Sequence, residues 1–398
     1  MKNYLSLISL SFIERISFAL GRTIFTVGII FFYGYEINAQ FSAFWSLIAI
    51  VSTFFLFGLD TILITYSKNE NTNFGYIGKS DLDKIIIIFM GIGSFLSAFI
   101  SFGIFGTYEN ILNINFLYFF ISSFAFLSIN ILGNLFKGYE KFNFLIYVNL
   151  LSFSISILYL IFNTEGDDYI VFNTWLIFCV LTIIQNFLFY LFIRKQIPNK
   201  SKDIDDLFSQ SFQKYIYRLV YQLAIRADIL IVYNLVDKQT AGYYATARLI
   251  GDIVGYIHQG FYPILVSRRP KENSSEFLIQ KVLILLIGIS GFLLINLLNP
   301  FLNSYFSEEL IKFASYTVFG SSIFNLIIFK SAEVIGENKV PLSVIFLTIN
   351  TLCIFILFYV FDINLGLKFL LSQIMTFTII YFINDKIFFG LISKNKNK

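Results

Sequence analysis

Residues 169–193 read YIVFNTWLIFCVLTIIQNFLFYLFI, from Tyr169 to Ile193, with no charged side chain among them. A helix rises about 1.5 Å per residue, so a run of this length is enough to cross the roughly 30 Å hydrocarbon core of a bilayer. Its flanks differ in charge. Glu165, Asp167 and Asp168 precede it, whereas Arg194, Lys195, Lys200 and Lys202 follow. Lys and Arg collect in cytoplasmic loops, so the stretch reads as a spanning helix running inward.

Working outward in both directions, apolar stretches of similar length recur between short polar breaks. They lie at about 13–33, 40–64, 84–106, 114–136, 143–162, 169–193, 213–233, 241–266, 277–298, 311–330, 341–361 and 366–389. The expected fold class is thus an all-α membrane protein of about 12 transmembrane helices. The composition agrees: 57% of residues are hydrophobic and 14% charged, with a mean hydropathy of +0.74. A soluble domain carries nearer a quarter charged residues. The chain is therefore not expected to be a soluble enzyme, and a formal net charge of +4 gives no reason to expect a nucleic-acid partner. Cys179 and Cys353 fall inside apolar stretches and His258 is the single histidine, so no disulfide framework, metal site or cofactor is expected. The first apolar stretch contains Glu14, Arg15 and Arg22, which does not read as a cleaved signal.

The basic residues test the helix count independently. With the N-terminus inside, the cytoplasmic segments hold most of the 29 Lys and Arg residues, including Lys137 and Lys141 in one loop. The other side holds only Lys238, Lys312 and Lys368, besides the acidic loop at 165–168. A wrong count would scramble this alternation. Both termini are accordingly expected in the cytoplasm. The longest polar break near the middle, at 194–212, divides the chain into an N-terminal six-helix bundle at 1–195, a cytoplasmic linker at 196–211 and a C-terminal six-helix bundle at 212–398. Span, short loop and span at 22–64 have the same layout as 213–266, and parallel repeats of this kind are common in transporters.

Five arginines, Arg15, Arg22, Arg218, Arg226 and Arg248, lie within the spans. Such a residue costs about 2.5–3.5 kcal/mol at the centre of a span on insertion scales, so it usually faces water or a partner. Arg218, Gln222 and Arg226 recur at four-residue spacing along one face of the seventh helix, and Ser11, Arg15, Arg22 and Thr26 make a similar stripe on the first. Arg22 falls near the midplane. Arg226 and Arg248 lie at matching depth, roughly 10 Å below the outer surface by helical rise, and so can share one cavity. Internal pairing is the competing reading for each. Arg248 and Asp252 are spaced for a salt bridge, Asp228 can serve another arginine, and Arg15 and Arg218 are near enough to the inner interface to snorkel. Asn130, Asn134, Gln185, Asn186, Asn325, Asn350 and Gln373 read as hydrogen-bonding glue between helices, and His258 as a packed polar residue.

Asp228-Ile-Leu-Ile-Val-Tyr-Asn234 followed by Thr240-Ala-Gly-Tyr-Tyr-Ala-Thr-Ala247 resembles the start of the second half of polysaccharide flippases of the multidrug/oligosaccharidyl-lipid/polysaccharide exporter superfamily. Gly58-Leu59-Asp60 and Phe136-Lys137-Gly138-Tyr139-Glu140-Lys141 are similar to weaker features of the same family. The resemblance implies two six-helix bundles around a central cavity that opens alternately to each side of the bacterial cytoplasmic (inner) membrane. It implies as substrate an undecaprenyl-diphosphate-linked oligosaccharide for O-antigen or capsular polysaccharide, with membrane lipids and other polysaccharide-assembly proteins as surroundings. Relatives that flip the peptidoglycan precursor use arginines of the first helix in the cavity, a place that Arg22 and Arg15 would fill. Those relatives carry two further C-terminal spans, which argues against that substrate here.

Physical chemistry and resemblance meet at the diphosphate, because arginine offers it a planar, bidentate fork. Arg22, Arg226, Arg248, Arg15, Arg218 and Gln222 are the candidate substrate-binding residues, and Asp60, Asp228 and Asp252 are either proton or sodium sites or counter-ions. Flipping changes no covalent bond, so no catalytic residue is expected. A multidrug exporter of the same superfamily is the nearest alternative, although cationic drugs call for acidic cavity residues and here arginines prevail. A membrane enzyme of polysaccharide assembly is the other. A polymerase usually has a large external loop, whereas the longest here is about 299–311, and an acyltransferase needs a better-partnered histidine than His258.

Overall fold

The computed structural model describes residues 2–59, 63, 77–108, 115–163, 169–199, 201, 207–259, 274–336 and 340–395. Among these the regular structure is entirely helical: α1 (Lys2–Phe54), α2 (Lys79–Ile85), a π-helical turn at Ile86–Ile92, α3 (Gly93–Tyr108), α4 (Phe116–Gly138), α5 (Phe142–Phe162), α6 (Tyr169–Arg194), α7 (Leu207–Leu235), α8 (Lys238–Gln259), α9 (Ser274–Leu297), α10 (Asn299–Leu302), α11 (Glu308–Gly336), α12 (Val340–Val360) and α13 (Leu365–Asn395). The described residues of the expected spans are mostly helical, with the first two spans joined in the single helix α1 and the third divided among α2, the π-helical turn and α3. Among the described residues seven helical stretches are long and apolar enough to cross a membrane, and 281–297 and 365–381 are shorter apolar ones. The chain is a multi-pass membrane protein. Its exposed surface fits this, because large apolar side chains such as Phe31, Phe99, Phe162 and Leu297 point outward, as they do where lipid is the solvent.

Several boundaries differ from the sequence reading, each for a local reason. The break between the first two spans is a kink inside α1 at Gly34, where φ is +84°, a left-handed value that glycine adopts without a Cβ clash. α1 ends at Phe54, inside the second expected span, because Phe57 and Gly58 take φ of +47° and +74° and turn the chain before the helical Leu59. α7 starts at Leu207, inside the expected linker. The described part of that linker is held against the start of α2. Lys79 donates its backbone N–H to Pro198 at 2.8 Å, Gly78 donates to Ser201 Oγ at 2.8 Å, and Asp83 accepts from Arg194 and Tyr190. The π-helical turn was not foreseen, since periodicity does not separate a π from an α turn.

The structure forms two compact units, Met1–Gly242 and Tyr243–Lys398. In the first, aromatic rings fill the centre: Trp45 and Trp175 lie 4.8 Å apart, and Phe44 meets Phe119 at 4.9 Å and Phe172 at 5.4 Å. Hydroxyls link helices where lipid offers no hydrogen bonds. Ser97 Oγ is 2.7 Å from Ser52 and 3.2 Å from Ser123, which ties α3 to α1 and α4. In the second unit Tyr244 packs edge-on against Phe313 and Phe358, and Asn350 donates to Gln373 at 2.6 Å. The expected glue is visible here and between Gln185 and Ser152 and Asn186 and Ser128. Asn130 and Asn325 bond back to their own helices. Lys368, placed by its charge in an outer loop, is instead buried in the first turns of α13, where its ammonium donates to the Phe358 carbonyl at the end of α12.

Candidate transport site

Four-residue spacing sets Arg218, Gln222 and Arg226 on one face of α7, and that face is turned toward α1 and α4. Arg226 Nε donates to Gln222 Oε1 at 3.3 Å, and its guanidinium carbon lies 5.8 Å from the centroid of the Trp45 ring. Trp45 cannot swing away, because Trp175 and Phe126 pack its other sides. Arg218 donates through Nη2 to Asn130 Oδ1 at 3.1 Å, and the Asn130 amide donates at 2.8 Å to the Phe126 carbonyl one turn earlier. That second bond fixes which end of the amide meets the arginine. The Arg218 guanidinium also lies 5.6 Å from the Tyr221 ring centroid.

On α1, Arg15 Nε lies 3.7 Å from Glu14, whose carboxylate also meets Lys137 Nζ at 3.5 Å. Lys137 is thus a residue of the last turn of α4 with its side chain largely buried, not a loop residue, because α4 continues to Gly138 and turns it toward α1. Arg22 is half-buried about two turns beyond Arg15, between the buried Ser17 and Thr26. Asp228 is fully buried in α7. Asp60 lies outside the described residues, as does the side chain of His258.

Arg248 belongs to the second unit. Its Nη1 donates to Asp252 Oδ1 at 3.1 Å and to Ser321 Oγ at 3.1 Å, and its guanidinium carbon sits 4.3 Å from the Phe369 ring centroid. The salt bridge allowed by the spacing is formed. Only 3% of the Arg248 side chain is exposed, against 20% for Asp252, so the cation is the deeper partner. Small residues make this packing possible: a Cβ at Gly251 would meet Ser321 Oγ at 2.5 Å. Two contributors escaped the sequence reading, Trp45 and the Glu14–Lys137 pair. An apolar run signals burial for a tryptophan but not which cation will lie on its ring.

No family model matches the sequence, and no curated protein matches it. Solved structures do. A MATE multidrug transporter, DinF-BH, superposes with a TM-score of 0.64 at 14% identity over 96% of this chain and 94% of that one. The lipid II flippase MurJ in an inward closed conformation gives 0.67 at 17% identity over 96% and 87%. An inward-facing multidrug resistance transporter of the MATE family, in the MOP superfamily, gives 0.60 at 13% over 95% and 94%. This chain has their fold. At these identities the likeness concerns architecture and leaves the cargo to be argued from the chain's own residues.

Proposed function

We propose that the chain is a flippase that moves undecaprenyl-diphosphate-linked oligosaccharide repeat units across the bacterial cytoplasmic membrane by alternating access between two six-helix halves, for O-antigen or capsular polysaccharide. The observation that carries this reading is the cationic face of α7, Arg218 and Arg226 with Gln222, turned toward an α1 that itself bears Arg15 and Arg22. A diphosphate headgroup must lose water to cross, and fixed guanidinium groups replace part of that hydration. The prenyl tail stays in lipid throughout. Asp228 and Asp252 are the acidic groups proposed for ion coupling, with Asp60 as a third. The fold shared with lipid II flippase MurJ supports a lipid-linked cargo.

Multidrug export is the second reading, supported by the equal likeness to MATE transporters. One set of proteoliposomes tests both. Uptake of lipid-linked sugar that is lost in Arg22→Ala and partly kept in Arg22→Lys is the flippase outcome, because lysine keeps the charge and loses the fork. Protein level should not fall, since removing a charge from a span eases insertion. Export of a cationic dye with no movement of lipid-linked sugar would replace the flippase reading by the exporter one.

A further inference from the structure

Glu14 is an acidic residue set among cations. Its carboxylate lies 3.5 Å from Lys137 Nζ on α4 and 3.7 Å from Arg15 Nε on α1. These contacts are within ion-pair range yet longer than a close charge-assisted hydrogen bond of about 2.7–2.9 Å. The backbone around the carboxylate is, by contrast, firmly held. The Glu14 carbonyl accepts from Ser17 Oγ at 2.8 Å and from the Asn149 amide of α5 at 3.4 Å. The side chains of Glu14 and Lys137 are only 10% and 18% exposed, whereas Arg15 is 39% exposed and brings the cluster to the protein surface. A half-buried group of cations sharing one carboxylate is an anion site already occupied by an anion of the chain itself.

We infer that Arg15 and Lys137 form a binding site for a diphosphate group on two helices of the first unit, and that Glu14 holds this site in the group's absence and yields it on binding. The inference rests on the flippase reading and adds to it a site that acts before the arginines deeper in the spans. Charge alone favours the exchange. A diphosphate brings more negative charge and more acceptor oxygens than one carboxylate, so it can engage Lys137 and Arg15 together. Glu14 then tunes the affinity: a substrate held too tightly at its entry would not move on.

The test is binding of inorganic pyrophosphate to the purified full chain in nanodiscs, followed by calorimetry. Lys137→Gln is expected to weaken binding by about tenfold, the loss of one charge-assisted contact. Glu14→Gln is expected to tighten it several-fold, because the competing carboxylate is gone while shape is kept. Should Glu14→Gln fail to give a monodisperse protein, Glu14→Asp is read in its place, with a smaller tightening expected because its shorter side chain reaches the cations less well. Unchanged or weaker binding in the folded variant overturns the inference, as does binding indifferent to Lys137→Gln. The parent reading fails separately. A Glu14-dependent pyrophosphate site in a protein that moves no lipid-linked sugar would leave the site standing and remove the flippase, and normal flipping without such a site would do the reverse.

Discussion

Arg226 of α7 lies over the indole of Trp45 on α1, 5.8 Å from the ring centroid, so the cationic face of one helix rests on the aromatic core of another. A cation over tryptophan contributes about 0.5–2 kcal/mol, and phenylalanine does the same less well. Trp45→Phe should therefore lower stability in detergent by roughly 1 kcal/mol, and Trp45→Ala by about 3–5 kcal/mol, because it also opens a cavity beside Trp175 and Phe126. The chain has 2 tryptophans, so emission from Trp175 alone reports unfolding in both variants. Equal stability of the two would mean that Trp45 contributes little packing and that Arg226 is held by other groups.

Gly242, in the stretch that resembles the flippase family, has a physical role of its own. A Cβ at this position would overlap the backbone carbonyl of Tyr35, just past the kink at Gly34. Backbone cannot rotate out of the way as a flexible side chain does. Gly242→Ala should force the backbone at 242 away from Tyr35 and cost on the order of 1–3 kcal/mol, typical of overpacking, seen as reduced yield of folded protein. Gly103, with nothing near its Cβ, should tolerate alanine and serves as the control. Normal yield of Gly242→Ala would show that Gly242 and Tyr35 do not approach this closely.

How far the sequence carried the structure follows from what each signal measures. Hydropathy located the helices, including α7 and α8, whose charges keep them out of the set apolar enough to span by composition alone. Spacing foretold the Arg248–Asp252 pair, because a four-residue interval on a helix leaves little freedom. Contacts between distant helices were not legible. Nothing local announces that Lys137 turns inward to Glu14, that Lys368 caps α12, or that Asn130 meets Arg218. Charge was read as a topological marker, which assigns a side of the membrane but no partner. The kink at Gly34 was expected as a loop for a related reason, since a polar break and a helical kink have similar sequence signals and differ in backbone angle.

Topology follows from the distribution of basic residues and is tested without a transport assay. A cysteine at Asn199, in the segment held against the start of α2, should react with an impermeant reagent only from the cytoplasm, as should one at Asn397. A cysteine at Asp167 should react only from outside. Cys179 and Cys353 are both buried and should give little background. Labelling of Asn199 from outside would overturn the twelve-span arrangement, because it would require an odd number of crossings before α7.

Arg248 and Asp252 distinguish a structural pair from a substrate site, and their unequal burial gives the experiment a direction. Removing one partner of a buried pair costs about 3–5 kcal/mol, while replacing both is often neutral. Arg248 is the deeper group, enclosed by Ser321 and the Phe369 ring, whereas Asp252 is the less buried one. Asp252→Asn should thus reduce folded protein more than Arg248→Gln, since it takes the carboxylate from the more deeply buried partner, while the reverse change takes the guanidinium from the less buried one. The double variant should recover the protein level. Transport then decides the role: recovery of transport together with protein level assigns the pair to structure, whereas recovery of protein level alone places Arg248 at the substrate. Failure of the double variant to recover even the protein level would mean that Arg248 stabilises the second unit through Ser321 and Phe369 more than through Asp252, and the salt bridge would lose its place as the interaction that keeps an arginine in this helix.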